Sequence, residues 1–290
     1  MKPAAKRSME QWATTAGLQC TDGYCDEPLE NVPWLNPETR QEFESADGNE
    51  LGNLGNRPKI AALHSSSALA VNVFDYWRHR DKAALAGVLP APASRGITGL
   101  RFEQKFPSGV GPRSPNLDMV LECRGDAILA IESKFTEWTE HAGHKPLRDA
   151  YLPAGDRLWA RNGLSGAQEA AEEYMSAGFD HLDVQQLLKH MLGLAHTRAE
   201  RPWTLLLLWH RCDEELAPSM EEEITRFKRL LGVDGSRFEA MTYQRLWKEL
   251  VPLIRSEHAK YVEYITARYF AETESPQALV SQQAKLLEKI

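Results

Sequence analysis

The sequence predicts an α/β fold with a mixed central sheet flanked by helices. Three observations predict it. Helix-period and strand-period segments intermix in the order helix, three strands, helix, strand. Two of the strands are separated by a turn of only three residues. A short, wholly apolar strand near Thr204 follows an amphipathic helix, as a parallel crossover requires.

The elements follow in chain order. Residues 1–59 are rich in Pro, Gly, Asn and acid, with Trp12 and Trp34 as scattered anchors, and read as an extension with short helices wrapped on the main body. Leu63 to Ala86 reads as a helix: Leu69, Val73, Phe74 and Trp77 recur at helical spacing, and Ser65, Ser66 or Ser67 can cap it. Pro90, Pro92, Gly96 and Gly99 mark a loop. Strands are expected at Leu100–Phe106, Asn116–Cys123 and Ala127–Phe135. Helix is expected around Gly166–Ser176 and, clearly, over Leu182–His196. Thr204–Trp209 is short, apolar and bounded by polar residues, the signature of a buried strand. Helix follows at Met220–Leu231, a weak strand at Phe238–Thr242, and two helices at Tyr243–Ile254 and Ser256–Phe270. The domain division expected is 1–62 as an N-terminal extension packed on the main domain, 63–275 as that domain, and 276–290 as a C-terminal helix or tail.

Residues 1–10 hold no apolar signal core. The longest apolar run, near Leu205–Trp209, is far short of the roughly 20 residues a bilayer span needs. A cytoplasmic protein with no membrane partner is the expectation. Cys20 and Cys25 are close in sequence, but no second pair at metal-ligand spacing follows, and a structural zinc site normally needs four ligands. Free thiols are the simpler reading. The net charge of −7 speaks against a wholly basic surface, yet Arg95, Arg101, Lys105 and Arg113, and again Lys145, Arg148, Arg157 and Arg161, form locally basic segments that could line a groove.

The chemistry concentrates in the second and third strands. If Arg124, Gly125 and Asp126 form a hairpin turn, Cys123 faces Ala127 and Asp118 lies opposite Glu132. Alternation then places Asp118, Glu132 and Lys134 on one face, whereas a one-residue slip would separate the acids. Two carboxylates side by side in an apolar strand pair repel, and burial disfavours their charge. A hard divalent cation would resolve the conflict, and Lys134 would stand beside it to stabilise developing charge. The simpler alternative is an Asp118–Lys134 salt bridge with Glu132 at an exposed edge. Glu103-Gln104-Lys105 shows that the Glu-x-Lys triplet alone is weak. Only Glu132-Ser133-Lys134 follows a five-residue apolar strand, Ala127–Ile131, with a partner acid one hairpin upstream.

With Pro115-Asn116-Leu117-Asp118 and Ile131-Glu132-Ser133-Lys134, the chain resembles the PD-(D/E)XK, or restriction-endonuclease-like, nuclease superfamily over about Leu63–Trp209. It departs from the pattern in having Leu117, not proline, directly before the aspartate. The resemblance implies an αβββαβ core in which Asp118, Glu132 and the backbone carbonyl of Ser133 bind Mg²⁺ or Mn²⁺, Lys134 is the catalytic lysine, and Gln186 on the later helix assists. His190, four residues on, shares a face with Gln186, while Gln185 and Lys189 form a competing pair one residue earlier. Glu103 is a further candidate ligand. Glu137 and Glu140 could hold a second ion, and His141 and His144 could act as bases. The expected function is metal-dependent hydrolysis of phosphodiester bonds, with DNA as the partner and a restriction or defence role. The alternative is a catalytically silent nuclease-fold module that binds nucleic acid or protein. A homodimer is one assembly that the sequence leaves open.

Overall fold

A computed structural model describes residues 4–46, 48–52, 57–111, 114–140 and 146–270. His141, His144 and the proposed tail at 276–290 lie outside the described residues.

The N-terminal segment carries helix α1 (Ala4–Thr15), a small hairpin of β1 (Cys20–Thr21) and β2 (Tyr24–Cys25), and α2 (Pro37–Ser45). Helices α3 (Ser66–Phe74) and α4 (Ala83–Val88) precede the strands β3 (Ile97–Lys105), β4 (Asn116–Cys123) and β5 (Ala127–Lys134). Then come α5 (Leu158–Arg161), α6 (Ser165–Ala177), α7 (Val184–Arg198), β6 (Trp203–Trp209), α8 (Ala217–Leu230), β7 (Phe238–Thr242), α9 (Tyr243–Leu250) and α10 (Ala259–Tyr269). β3 to β7 form one five-stranded sheet in sequence order. β3, β4 and β5 pair antiparallel, and β5–β6 and β6–β7 pair parallel.

This is the restriction-endonuclease-like architecture: a mixed sheet with helices on both faces. Each face has its own apolar core, because strand side chains alternate between faces. Leu121, Leu129, Ile131, Leu206 and Leu208 meet residues of α1–α4, α9 and α10 on one side. Val120, Ile128, Ala130, Leu205 and Leu207 meet α5–α8 on the other. Met9 and Phe43 of the N-terminal segment belong to the first core. Among the described residues no helix is long and apolar enough to cross a membrane.

The continuous helix expected over Leu63–Ala86 is interrupted. α3 ends at Phe74, a 3-10 turn covers Asp75–Trp77, and helix resumes at Ala83. Asp75 is fully buried and accepts from Asn36 N at 2.7 Å, Thr39 Oγ1 at 2.6 Å and Arg78 Nε at 2.8 Å. These partners give the break a tertiary cause that periodicity cannot show. The helices expected at 243–254 and 256–270 likewise give way to 3-10 turns at Val251–Leu253 and Ser256–His258.

Candidate active site

The turn at Arg124–Asp126 sets the geometry. Gly125 (φ 77°) and Asp126 (φ 55°) are left-handed, and Cys123 pairs with Ala127. The ladder runs out to Met119↔Ile131, and the same register carries Asp118 opposite Glu132. In place of the next ladder bond, Ser133 N donates to Asp118 Oδ2 at 2.7 Å. A residue's N–H and C=O point the same way in an extended strand, so the Ser133 carbonyl also turns toward Asp118. Its side chain sits on the other face, where Oγ contacts Tyr243 Oη at 2.8 Å and donates to Ser66 O at 3.3 Å.

Lys134 joins the site through two contacts: Nζ donates to Glu132 Oε1 at 2.7 Å and to Gln186 Oε1 at 2.9 Å. Helix α7, capped by the Asp183 side chain on Gln186 N at 2.9 Å, brings Gln186 there. It also sets His190 Nε2 3.0 Å from Glu132 Oε2. That is a charge-contact distance, and neither buried atom has any other partner among the described residues. The competing pair one residue earlier is engaged elsewhere: Lys189 donates to Gln185, and Gln185 to Pro146 O.

Glu103 lies in register opposite Asp118, between Phe102↔Met119 and Gln104↔Leu117. Its φ of 51° is strained for a residue with a side chain, and its Oε2 accepts from Asn116 at 2.7 Å. The cleft around these groups has a volume of about 320 Å³. Its walls include Asp118, Glu132, Lys134 and Gln186, the Ser65–Ser67 turn, Glu137 and the N-terminal residues Tyr24, Glu50, Lys59 and His64. Glu140 pairs with Lys6 at 3.5 Å instead.

The acids titrate differently. Burial and Glu132 alongside push the Asp118 carboxyl well above its usual range, against Lys134. Asp118 keeps part of its surface open to the cleft, so burial acts on it less than full enclosure would. For Glu132, burial raises the pKa, but Lys134 and His190 outweigh it and hold the carboxylate down at about 2. The two acids partition one environment, the second ionised and the first pressed toward neutrality. Burial, then Glu50, push Glu103 up to about 7. Lys134 is raised, because its two carboxylate neighbours outweigh burial.

Sequence reasoning missed Glu50. It is buried, Lys59 contacts its Oε1 at 3.4 Å, and its Oε2 has no hydrogen-bond partner. It lies in a segment with neither periodicity nor motif, so no signal pointed to it. The basic lining expected from 95–113 and 145–161 is not met by the described residues; Arg113 and Lys145 lie outside them. Among the described residues none from either segment lines it; Arg101 pairs with Glu122 at 2.7 Å and Arg161 with Asp156 at 2.8 Å. Nor do three His, Cys, Asp or Glu side chains among the described residues form a metal-binding group. The donor set is two carboxylates and a backbone carbonyl, and Glu132 Oε2, buried and met only by His190 Nε2, is the acceptor that a cation would satisfy.

Two facing acids, an adjoining lysine and a helix-borne glutamine on a mixed sheet define a restriction-endonuclease-like protein. The chain belongs to the family described as Restriction Endonuclease associating with ARP, whose model matches residues 6–270. No curated protein and no solved structure matches it.

Proposed function

We propose that the chain is a metal-dependent endonuclease that hydrolyses phosphodiester bonds in DNA, in a restriction or defence setting. Asp118, Glu132 and the Ser133 carbonyl would hold Mg²⁺ or Mn²⁺. The observation that carries this reading is the convergence of Asp118, Glu132, Lys134 and Gln186, with Glu132 Oε2 buried and met only by His190. Such an ion, when bound, supplies Lewis acidity toward water and phosphate.

The chain's own groups orient and donate. Lys134 is cationic at neutral pH and can donate to a phosphate oxygen or to the attacking water. Gln186 Oε1 accepts from Lys134 and so fixes the ammonium's direction. Glu103 stands as a further acid beside Asp118. The family's description names an association with ARP, and we extend that partnership to this chain.

The cleft's acids, Glu50, Asp118, Glu132 and Glu137, outnumber its lysines, Lys59 and Lys134. A polyanion should therefore bind only once a cation is loaded. That excess of acid favours a second reading, a silent binding module, if no cation binds.

Plasmid cleavage with Mg²⁺ or Mn²⁺, paired with calorimetric Mn²⁺ titration, tests both. Asp118→Asn and Glu132→Gln should lose ion binding and cleavage together. Lys134→Ala should keep ion binding and lose turnover by roughly 10²-fold or more. A wild-type chain that neither binds Mn²⁺ nor cuts would overturn the nuclease reading in favour of the module.

A further inference from the structure

The hairpin of β1 and β2 walls the cleft with Tyr24, yet nothing in the phosphodiester chemistry uses its two cysteines. The turn between the strands, Asp22-Gly23, has φ of 55° and 81°, the doubly left-handed form that two-residue hairpins favour. In such a hairpin the residues flanking the turn, Thr21 and Tyr24, form the hydrogen-bonded pair. The pair outside it, Cys20↔Cys25, is the non-hydrogen-bonded kind, and Asp26 N donates to Gln19 O at 2.9 Å in the next pair out. Directly opposed residues of that kind have Cα atoms about 4.5 Å apart, inside the span a disulfide bridges. The two sulfurs face each other at 3.5 Å. Cys20 is half-buried and Cys25 buried.

We propose that Cys20 and Cys25 form a cross-strand disulfide on encounter with a low-molecular-weight disulfide, stapling the hairpin that walls the candidate active cleft. Cys20, the more open thiol, attacks as thiolate and displaces one thiol of the reagent, leaving a mixed disulfide. Cys25 then gives up its proton and displaces the second. Two protein thiols are oxidised to one disulfide, and the reagent is reduced to two thiols that take up the two protons. Burial and the neighbouring Cys20 push the Cys25 thiol up to about 12, which assigns the first attack to Cys20. The other cysteines are placed elsewhere, with Cys123 Sγ on Leu121 O and Cys212 Sγ on Phe135 O.

The staple reaches the cleft through backbone contacts. Leu63 N donates to Gly23 O at 3.0 Å, and Tyr24 bridges to Ala62. That strip leads into Ser65, whose side chain accepts from Ala68 N and caps α3.

The test uses the full chain and oxidised glutathione. No Lys or Arg lies between Arg7 and Arg40, so trypsin leaves both cysteines on one peptide. After acid quench and alkylation, that peptide should be lighter by two hydrogens, with neither cysteine alkylated. Cys25→Ser should instead trap a glutathione adduct on Cys20, and Cys20→Ser should leave Cys25 unmodified. The oxidised wild type should melt a few degrees above the reduced form, with no such shift in Cys20→Ser, which sits at a half-open position and keeps the fold. Two alkylatable cysteines, a persistent adduct on wild-type Cys20, or a fall in Tm on bond formation would each overturn the proposal. The mass readout does not depend on the nuclease reading.

Discussion

Lys134 and Asp118 predict opposite signs of stability change. Glu132 is almost wholly enclosed and ionised against Lys134, so Lys134→Met breaks a buried pair and leaves that charge only His190 beside it, at about 3–5 kcal/mol. Asp118→Asn keeps the acceptor for Ser133 N and removes a carboxyl that burial and Glu132 push upward. A group whose folded pKa is raised stabilises while protonated, and that contribution fades as pH rises through its range. Asparagine mimics the protonated form at every pH. Ion-free Asp118→Asn should therefore gain on the order of 1 kcal/mol at neutral pH, and less in acid. Equal destabilisation of both variants in thermal melts would refute this. His210 supplies a separate pH test. Burial holds it down at about 4, while its Nε2 donates to Tyr269 O at 2.9 Å. The unfolded chain takes up a proton near pH 6.5 and the folded chain only near 4, so stability should fall between those values, by on the order of 3 kcal/mol. His210→Gln should flatten that part of the pH–Tm curve. The facing acids were legible in the sequence, because a three-residue turn fixes a register. The choice of Gln186 with His190 over Gln185 with Lys189 was not: both pairs have helical spacing, and only the docking of α7 distinguishes them.

That docking depends on close backbone approach. A Cβ at Gly193 of α7 would lie 2.2 Å from Phe106 O, and main chain cannot yield as a side-chain tip can. Gly193→Ala should cost roughly 1–3 kcal/mol as the helix is forced outward. The same displacement should draw Gln186 from Lys134 and depress cleavage beyond the loss of folded protein. A variant with lowered Tm but full specific activity would show that α7 tolerates the shift. The lead-in to α7 is tied separately, since Glu223 of α8 accepts from the backbone N–H groups of Asp180, His181 and Leu182. Strands were read well from the sequence: β4 and β7 match their expected bounds, because short apolar runs between turn residues leave little freedom. The α3–α4 break was hidden, because its cause is Asp75's contact with a segment more than thirty residues upstream.

Across the whole molecule, the N-terminal segment is tied to the last described helix by Arg268 and by the packing of Trp12 on Tyr264 and of Trp34 on Tyr261 and Tyr264. Arg268 is almost wholly buried, donates to Asn31 O at 2.8 Å and to Asn31 Oδ1 at 2.5 Å, and lies over Trp12 and Tyr269. Asn31 in turn donates to Ile60 O and Ala62 O, next to the cleft wall. Arg268→Met should cost about 2–3 kcal/mol, through the lost charged hydrogen bonds that leave Asn31 O with Asn72 Nδ2 alone and Oδ1 with only a long Cys25 Sγ contact, and should speed proteolysis within residues 26–36. Protection equal to wild type would refute the link. The union closes across 237 positions of sequence. During synthesis the amino-terminal part emerges first and waits. Until α10 is made, the strip bearing Glu50, Lys59 and His64 lacks that anchor and holds by nearer contacts such as Ile60 N on Glu50 O and Leu63 N on Gly23 O. A chain cut short before α10 therefore carries Asp118, Glu132 and Lys134 beside a cleft wall that has lost its most distant anchor.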